Sequence, residues 1–313
     1  MRKIWLVLRF LLLSVLAVAT AAVFAATVAA FLPQSEYLID QLSQLRLAFV
    51  LVLMCMTLSF FVLRSPWFCA ASCLGIIVNV CSYPAFFLPA HHTGSGPRIT
   101  MMSANIYGQR NYNYAALIDL VRERKPQILC VEETTPQWLL KLRKALPDYP
   151  FVIDQGYSGG SAIFSNIAIE RLETKHGVNR FGVRGTFVFG NRKIILIVSH
   201  PPAPTSTARW TLRNNEFARL DDDVAASAMP VIIIGDFNST PWSSYFQQLI
   251  RLGKLHDSEA GFGIQPSWST LMPLPLVPID HCVYTNEFVT TSRQVGPTIG
   301  SDHLPLFVEL VQR

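Results

Sequence analysis

Apolar residues follow two regimes along the chain. Up to about residue 90 they run on continuously. Residues 10–32 carry no charge, nor do residues 47–63, and 67–88 is interrupted only by Asn79 and a few hydroxyls. A membrane-crossing helix needs ~20 apolar residues, with ~17 as a lower bound, so the pattern predicts three transmembrane helices at about 10–32, 47–63 and 67–88. Met1-Arg2-Lys3 ahead of the first run would also suit a cleaved signal peptide, but the second and third runs favour retained helices. From residue 98 onward the apolar runs shorten, become β-branched and end at turn formers. Strands are predicted at 99–104, 128–131, 161–164, 186–189, 194–199, 231–234 and 282–284. Helices are predicted at 114–125, 136–145, 208–226 and 243–252. The Gly- and His-containing stretch 91–97 is a linker by composition, in which His91 and His92 read as solvated. The expected organisation is a membrane segment over 1–90, a linker over 91–97 and an α/β (α+β) domain over 98–313.

Six strands or strand-like segments end on chemistry-bearing side chains. The first runs into Asn105, the second into Glu132-Glu133, and 194–199 into His200. The strand 231–234 runs into Gly235-Asp236-Phe237-Asn238, Ile279 precedes Asp280, and Ser301 precedes Asp302-His303. An Asn or Asp at one strand end is ordinary turn chemistry. Six together point to a site carried on loops by a rigid sheet. Carboxylates with a carboxamide make a hard oxygen site for Mg²⁺ or Mn²⁺, and such an ion stabilises charge on a phosphate ester under attack. A histidine paired with a carboxylate supplies an oriented acid or base.

Seven stretches in order carry a family resemblance: Ser103-Ala104-Asn105, Val131-Glu132-Glu133, residues 160–165, Ser199-His200-Pro201-Pro202, Gly235 through Pro241, Ile279-Asp280-His281 and Ser301 through Pro305. Together they resemble the endonuclease/exonuclease/phosphatase superfamily, also called deoxyribonuclease-I-like, and in particular its bacterial membrane-anchored branch. The resemblance implies a four-layer α/β/β/α sandwich and a metal-dependent phosphoesterase. It implies that Asn105 and Glu133 hold the metal, with Asp302 joining it or orienting its waters. Asp236 would position or deprotonate the attacking water, and Asn238 would bond the phosphate oxygens. His303 would act at the scissile phosphate, with Asp280 fixing its tautomer and His200 as a second histidine. The family usually has Gln before the metal-binding Glu, where this chain has Glu132. Strand alternation predicts that Glu132 points away from the site. The same alternation places Asp236 and Asn238 on one face and turns His281 away. Arg209, Arg213 and the run Asp221-Asp222-Asp223 read as a solvated helix face, and Trp268 as core or rim.

Composition narrows the function. The chain has 313 residues, half of them hydrophobic and 15% charged, and its mean hydropathy is +0.32. This excludes a disordered chain, and six cysteines are too few for a disulfide-stapled fold. Of 26 basic and 21 acidic residues, five and two fall in 1–90, which leaves 21 and 19 for the remainder. That balance argues against avid, sequence-independent duplex binding. The bias of Arg2, Lys3 and Arg9 predicts a cytoplasmic N-terminus. Three crossings would put the catalytic domain on the extracytoplasmic, periplasmic side of a bacterial inner membrane. The expected substrate is a phosphate ester: nucleic acid, a phospholipid head group or a small molecule. No obligate protein partner is evident. A catalytically silent membrane scaffold using the same fold is the alternative.

Overall fold

The computed structural model describes residues 2–32, 35–87, 94–172, 181–272 and 277–313. His91, His92 and part of the expected linker lie outside the described residues. The chain divides into two compact units, Met1–Pro84 with Trp242–Ser244, and Ala85–Pro241 with Tyr245–Arg313.

Among its described residues the first unit holds four α-helices: α1 (Arg2–Ala29), α2 (Tyr37–Gln44), α3 (Arg46–Val62) and α4 (Pro66–Val80). Helices α1 and α3 run antiparallel, and arginines tie both ends. Arg9 donates from Nε and Nη2 to the Leu63 carbonyl at 3.1 and 2.9 Å, and Arg46 Nη2 donates to the Ala30 carbonyl at 3.1 Å. Leu53, Met56 and Phe60 form the buried seam, against Leu13, Leu16, Ala19 and Val23. The expected count of three transmembrane helices is corrected. Among the described residues, only the helix over Lys3–Ala29 is by itself long and apolar enough to cross a membrane, and α2 with α3 qualifies only as a pair bent by 59°. Helix α4 has 15 residues, about 22 Å at 1.5 Å per residue, short of the ~30 Å hydrocarbon core. The second run is helical as far as Val62, but the 17 residues of α3 stop at the lower bound for a span, and the third run is overstated because α4 ends at Val80, ahead of Pro84.

The second unit is an α/β sandwich of two six-stranded mixed sheets. In chain order its strands are β1 (Arg98–Asn105), β2 (Ile128–Thr134), β3 (Phe151–Asp154), β4 (Gly160–Ser165), β5 (Ile169–Arg171) and β6 (Gly182–Phe189). Then come β7 (Arg192–Ser199), β8 (Val231–Asp236), β9 (His256–Asp257), β10 (Asp280–Tyr284), β11 (Phe288–Val295) and β12 (Leu306–Gln312). One sheet has the order β11-β12-β1-β2-β4-β3, the other β5-β6-β7-β8-β10-β9. Each contains one parallel pair, β1 with β2 and β7 with β8. The helices α5 (Tyr114–Arg124), α6 (Pro136–Ala145), α7 (Thr207–Ala225) and α8 (Ser244–Leu252) match the predicted segments. Side-chain caps start three of them, from Asn113, Thr135 and Ser206, each worth ~1 kcal/mol.

Period-2 alternation sorts every central strand. Ile99 and Met101 of β1, Ile128 and Cys130 of β2, Leu196 and Val198 of β7, and Ile232 and Ile234 of β8 meet between the sheets. The intervening residues face outward. Met102, Ala104, Leu129 and Val131 pack under α5 and α6, while Ile195, Ile197, Val231 and Ile233 pack under α7 and α8. The layering is therefore helix, sheet, sheet, helix.

Gly235, next to Asp236, carries φ +141°, and a Cβ there would lie 2.4 Å from the Ser199 carbonyl oxygen on the neighbouring strand. Backbone cannot yield as a side-chain tip can. Gly235→Ala should lower Tm by about 5–10 °C, from strain of ~1–3 kcal/mol. Gly159→Ala, at φ +81° with nothing within 4 Å, should cost less. Equal Tm values for the two variants would contradict this reading of the β7–β8 contact.

Candidate active site

The polar residues gather because the inward face of several strands changes character at the same end. On β1 the inward positions run Ile99, Met101, Ser103, Asn105. On β2 they run Ile128, Cys130, Glu132, and on β8 Ile232, Ile234, Asp236. Strand β10 runs antiparallel to β8 and starts at this end, so Asp280 stands directly opposite Asp236. His200 follows β7, and His303 lies just before β12.

Contacts join these groups across the two sheets. Asn105 Nδ2 donates to Glu133 Oε1 at 3.1 Å and to Asp236 Oδ2 at 3.0 Å, while its Oδ1 accepts from the Tyr107 N–H. His200 Nε2 lies 3.5 Å from Asp236 Oδ2 and 3.7 Å from Glu133 Oε1. His303 Nδ1 meets Asp280 Oδ2 at 2.9 Å, and its Nε2 lies 3.5 Å from Asp236 Oδ2. Asn238 Nδ2 donates to the Pro201 carbonyl at 3.0 Å and to Asp236 Oδ2 at 3.3 Å. Asp302 Oδ2 accepts from Trp268 Nε1 at 3.1 Å, and its charge acts on His303. The structure thus brings seven of the eight expected residues into direct mutual contact and places Asp302 beside them.

Charge is tightly compensated here. Burial opposes protonation of His303, but Asp280 and Asp236 outweigh it and raise its pKa to about 10. Burial likewise opposes the Asp236 carboxylate, and His303 and His200 overcome it, lowering its pKa to about 2. Burial also works against the charged form of His200, whose pKa is nonetheless raised by Asp236 and Glu133. At neutral pH His303 is an imidazolium held between two carboxylates.

Four expectations about side-chain direction need correction. Glu132 does not point away. It is fully buried between the sheets and accepts from Ser103 Oγ at 2.8 Å. Glu132 keeps the alternation of Ile128 and Cys130, and it is Glu133 that departs, because the β2–β4 register shifts between Val131 and Thr134 and Glu133 takes a left-handed φ of +55°, so consecutive glutamates serve the same end. Asp236 and Asn238 come together through a turn rather than an extended strand, since Asn238 has φ +49° and its N–H donates to Asp236 Oδ1 at 2.8 Å. Arg213 is buried, donating to the Asn238 carbonyl at 3.2 Å and to Asn214 Oδ1. In the acidic run Asp221 is buried and Asp223 pairs with Arg184. Arg213 therefore supports the turn that carries Asn238. Trp268 sits at the rim, its ring 6.4 Å from that of His303, and its bond to Asp302 gives it a place at the site that residue type alone did not signal. His281 turns away as expected and contacts the Ser239 carbonyl through Nε2 at 2.9 Å.

The donor set fits a divalent cation. Glu133 and Asp302 offer carboxylates and Asn105 a carboxamide, and Asp302 Oδ1 is buried without a hydrogen-bond partner. Ligand atoms of Asp236, Asp280 and His303 also lie within 4.8 Å of one another.

Two face-to-face mixed sheets with acidic and imidazole groups at one end define a phosphoesterase-like α/β fold. The chain belongs to the Endonuclease/Exonuclease/phosphatase family, whose model matches residues 102–303. Members of this family generally hydrolyse phosphate esters and usually use divalent metals. Among solved structures, a family protein from Bacteroides thetaiotaomicron aligns with TM-score 0.56 at 16% identity, covering 70% of this chain and 100% of that one. Humanized D. rerio TDP2 aligns with TM-score 0.55 at 14% identity, covering 68% and 98%. D. rerio TDP2 complexed with a single-strand DNA product aligns with TM-score 0.54 at 15% identity, covering 68% and 98%. At these identities the likeness is one of fold. No curated protein matches the chain.

Burial raises the pKa of Glu132 to about 8, and the charge of Asp280 adds to the effect. Between its ordinary value and about 8, the unfolded chain ionises this group while the folded chain keeps it protonated. Folding then takes up a proton, and stability falls as pH rises through that window. Glu132→Gln lacks this term. Its Tm relative to wild type should climb from pH 5 to pH 8, measured by thermal unfolding. A pH-independent difference would show that Glu132 is not held neutral.

Proposed function

We propose that the protein is a membrane-anchored phosphoesterase that cleaves phosphodiester or phosphomonoester bonds with Mg²⁺ or Mn²⁺. The observation that carries this reading is His303 held between Asp280 and Asp236, beside Glu133. Glu133 and the carboxamide of Asn105 would hold the ion, with Asp302 joining it or orienting its waters. When bound, it would neutralise charge developing on the phosphate oxygens. Asp236, anionic and weakly basic, accepts a hydrogen bond from the attacking water and aims it at phosphorus. His303 presents its Nε2 proton to a phosphate oxygen, while Asp280 on Nδ1 fixes the ring. His200 and Asn238 supply further donors on the same side. The substrate class is a nucleic acid, a phospholipid head group or a small phosphate ester. A TDP2 neighbour complexed with single-strand DNA product is consistent with a phosphate ester in this fold. The intact set of acid, base and ligand residues disfavours a silent scaffold.

For the anchor, we propose that α1 crosses the inner membrane of a bacterium once, with Arg2, Lys3 and Arg9 inside and residues 98–313 outside the cytoplasm. Large apolar side chains along α1 are exposed, among them Trp5, Phe10, Val15 and Val18, as lipid-facing residues are. The chain should stay in the membrane pellet after alkaline carbonate washing. A reporter that works only outside the cytoplasm should be active when fused after Arg313. A silent C-terminal fusion with an intact membrane-bound product would contradict the orientation.

The catalytic assignment is tested with full-length protein in detergent, on phosphodiester and phosphomonoester substrates with Mg²⁺, Mn²⁺ or chelator. Glu133→Gln should remove most turnover with the circular dichroism spectrum unchanged. His303→Ala should cost several orders of magnitude, since positioned acid–base help is worth ~10²–10⁴-fold and a phosphate contact goes with it. Asp280→Asn should also be severe, and the double variant little worse than His303→Ala, because residues acting as one unit lose activity non-additively. His200→Ala should cost less. Fully multiplicative losses at Asp280 and His303, or turnover that survives both chelator and Glu133→Gln, would refute these roles.

A further inference from the structure

Strand β10 has a second face. Asp280 points between the sheets, while the adjacent His281 points outward, fully buried, with ring centroids 5.3 Å from Phe237 and 4.5 Å from Phe246. Its Nε2 lies 2.9 Å from the Ser239 carbonyl oxygen. A carbonyl only accepts, so Nε2 carries the hydrogen and Nδ1 carries the lone pair. That Nδ1 is buried with no hydrogen-bond partner. Strand β9 and the residues after it bring two carboxylates to the same place. Asp257, Glu259 and His281 are all buried, and one ligand atom from each lies within 4.8 Å of the others.

What occupies the middle of this group is constrained by charge. Asp257 Oδ1 accepts from the Glu259 N–H at 2.9 Å, and Glu259 Oε1 accepts from the Gln265 N–H at 2.8 Å. Glu259 Oε2 is buried without a hydrogen bond. Its nearby cation is Arg293, with Nη2 at 3.5 Å, and that nitrogen donates instead to the Asp280 carbonyl at 3.0 Å. Two carboxylates and an imidazole share this space, and both Glu259 Oε2 and His281 Nδ1 are buried acceptors without a hydrogen bond. Acceptors this close, away from water, repel one another unless they share a cation.

We propose that Asp257, Glu259 and His281 form a second metal site, outside the catalytic centre, that holds one Zn²⁺ or Mn²⁺ ion. One imidazole with two carboxylates suits a borderline transition ion better than Mg²⁺. Donation from Nε2 to a carbonyl is how a metal-bound histidine is normally oriented. The competing occupant is a proton on Glu259, whose pKa burial pushes up to about 8; binding the ion would release it. The site is a brace. It ties β9 to β10 on the face opposite Asp280, close to the arginine that holds the Asp280 carbonyl.

The test is metal content. Full-length wild type, Glu133→Gln, His281→Gln and Asp257→Asn are purified in detergent and dialysed against EDTA. Zinc and manganese are then counted by inductively coupled plasma mass spectrometry. A fully buried ion exchanges slowly, whereas the side chain of Glu133 is 32% exposed, so the catalytic position is stripped first. Wild type and Glu133→Gln should each retain about one equivalent, and His281→Gln and Asp257→Asn little or none. Glu133→Gln grown in metal-depleted medium should gain several degrees in Tm on addition of Zn²⁺ or Mn²⁺. The same addition should not move Glu133→Gln/Asp257→Asn. Metal-free wild type and Glu133→Gln, with Tm unmoved by either ion, would mean that the cluster holds a proton only and would overturn the proposal. Retention of the ion in both His281→Gln and Asp257→Asn would place it elsewhere and overturn it equally. If His281→Gln fails to fold, Asp257→Asn and the Glu133→Gln measurements decide.

Discussion

Asp236 and Asp280 stand opposite each other on neighbouring antiparallel strands, both buried. Like charges in that position destabilise a sheet even at its surface, and burial worsens the conflict. The arrangement is tolerable because His303 enters from the loop before β12 and touches both, at 2.9 Å through Nδ1 and 3.5 Å through Nε2. The two carboxylates make the imidazole cationic, and the imidazolium keeps Asp236 anionic. Electrostatic need and chemical competence are the same interaction. The requirement also explains why the loop is fastened. Ser301 Oγ donates to the Asn105 carbonyl at 2.7 Å and accepts from the His303 N–H at 3.1 Å, and Thr270 donates to the Asp302 and Ser301 carbonyls.

The location of the site follows from how a two-sheet core ends. Inward positions are apolar through the middle of β1, β2, β7, β8 and β10, and polar only at one common end. Parallel pairing of β1 with β2 and of β7 with β8 points four strand ends the same way. Antiparallel β10 contributes its beginning instead. Two local departures then adjust the aim. The left-handed Glu133 adds a second carboxylate to the end of β2, and Gly235 lets β7 and β8 approach closely beside Asp236.

Much of this was legible in the chain. The seven predicted strands and the four helices of the second unit all exist, because each is a short β-branched run or an amphipathic stretch bounded by turn formers. Strands β3, β5 and β9 are four residues or fewer, too short for alternation to register. Strand β11 carries Thr290-Thr291-Ser292-Arg293 in its middle, yet Thr290 and Arg293 are buried, so composition hid its depth. Residue types at the strand ends announced the site, but directions were less visible. Glu132 was misplaced because its direction was counted from Glu133, the residue that the register shift turns back to the same end. Arg213 looked solvated because its distant partner, the Asn238 carbonyl, is brought to it by folding. The apolar first unit misled differently: hydropathy measures composition, while crossing a membrane requires unbroken helix length.

Each half of the site belongs to a different sheet, and this raises a demand that the apolar core cannot meet alone. Asn105 and Glu133 come from one sheet, while His200, Asp236 and Asp280 come from the other, and their contacts span 3.0–3.7 Å. Hydrophobic burial is non-directional and would tolerate small sliding of one sheet over the other. Arg293 supplies direction. It projects from β11 of the first sheet, is fully buried, and donates to Ser258 Oγ at 3.1 Å and to the Asp280 carbonyl at 3.0 Å in the second. A buried guanidinium with its donors committed is costly to displace, because every bond lost leaves an unsatisfied group away from water. The arginine thus fixes the spacing between sheets at the strand that orients His303. A buried polar residue between the sheets, bonded to the backbone of Asp280 rather than to its carboxylate, is part of how the site keeps its geometry.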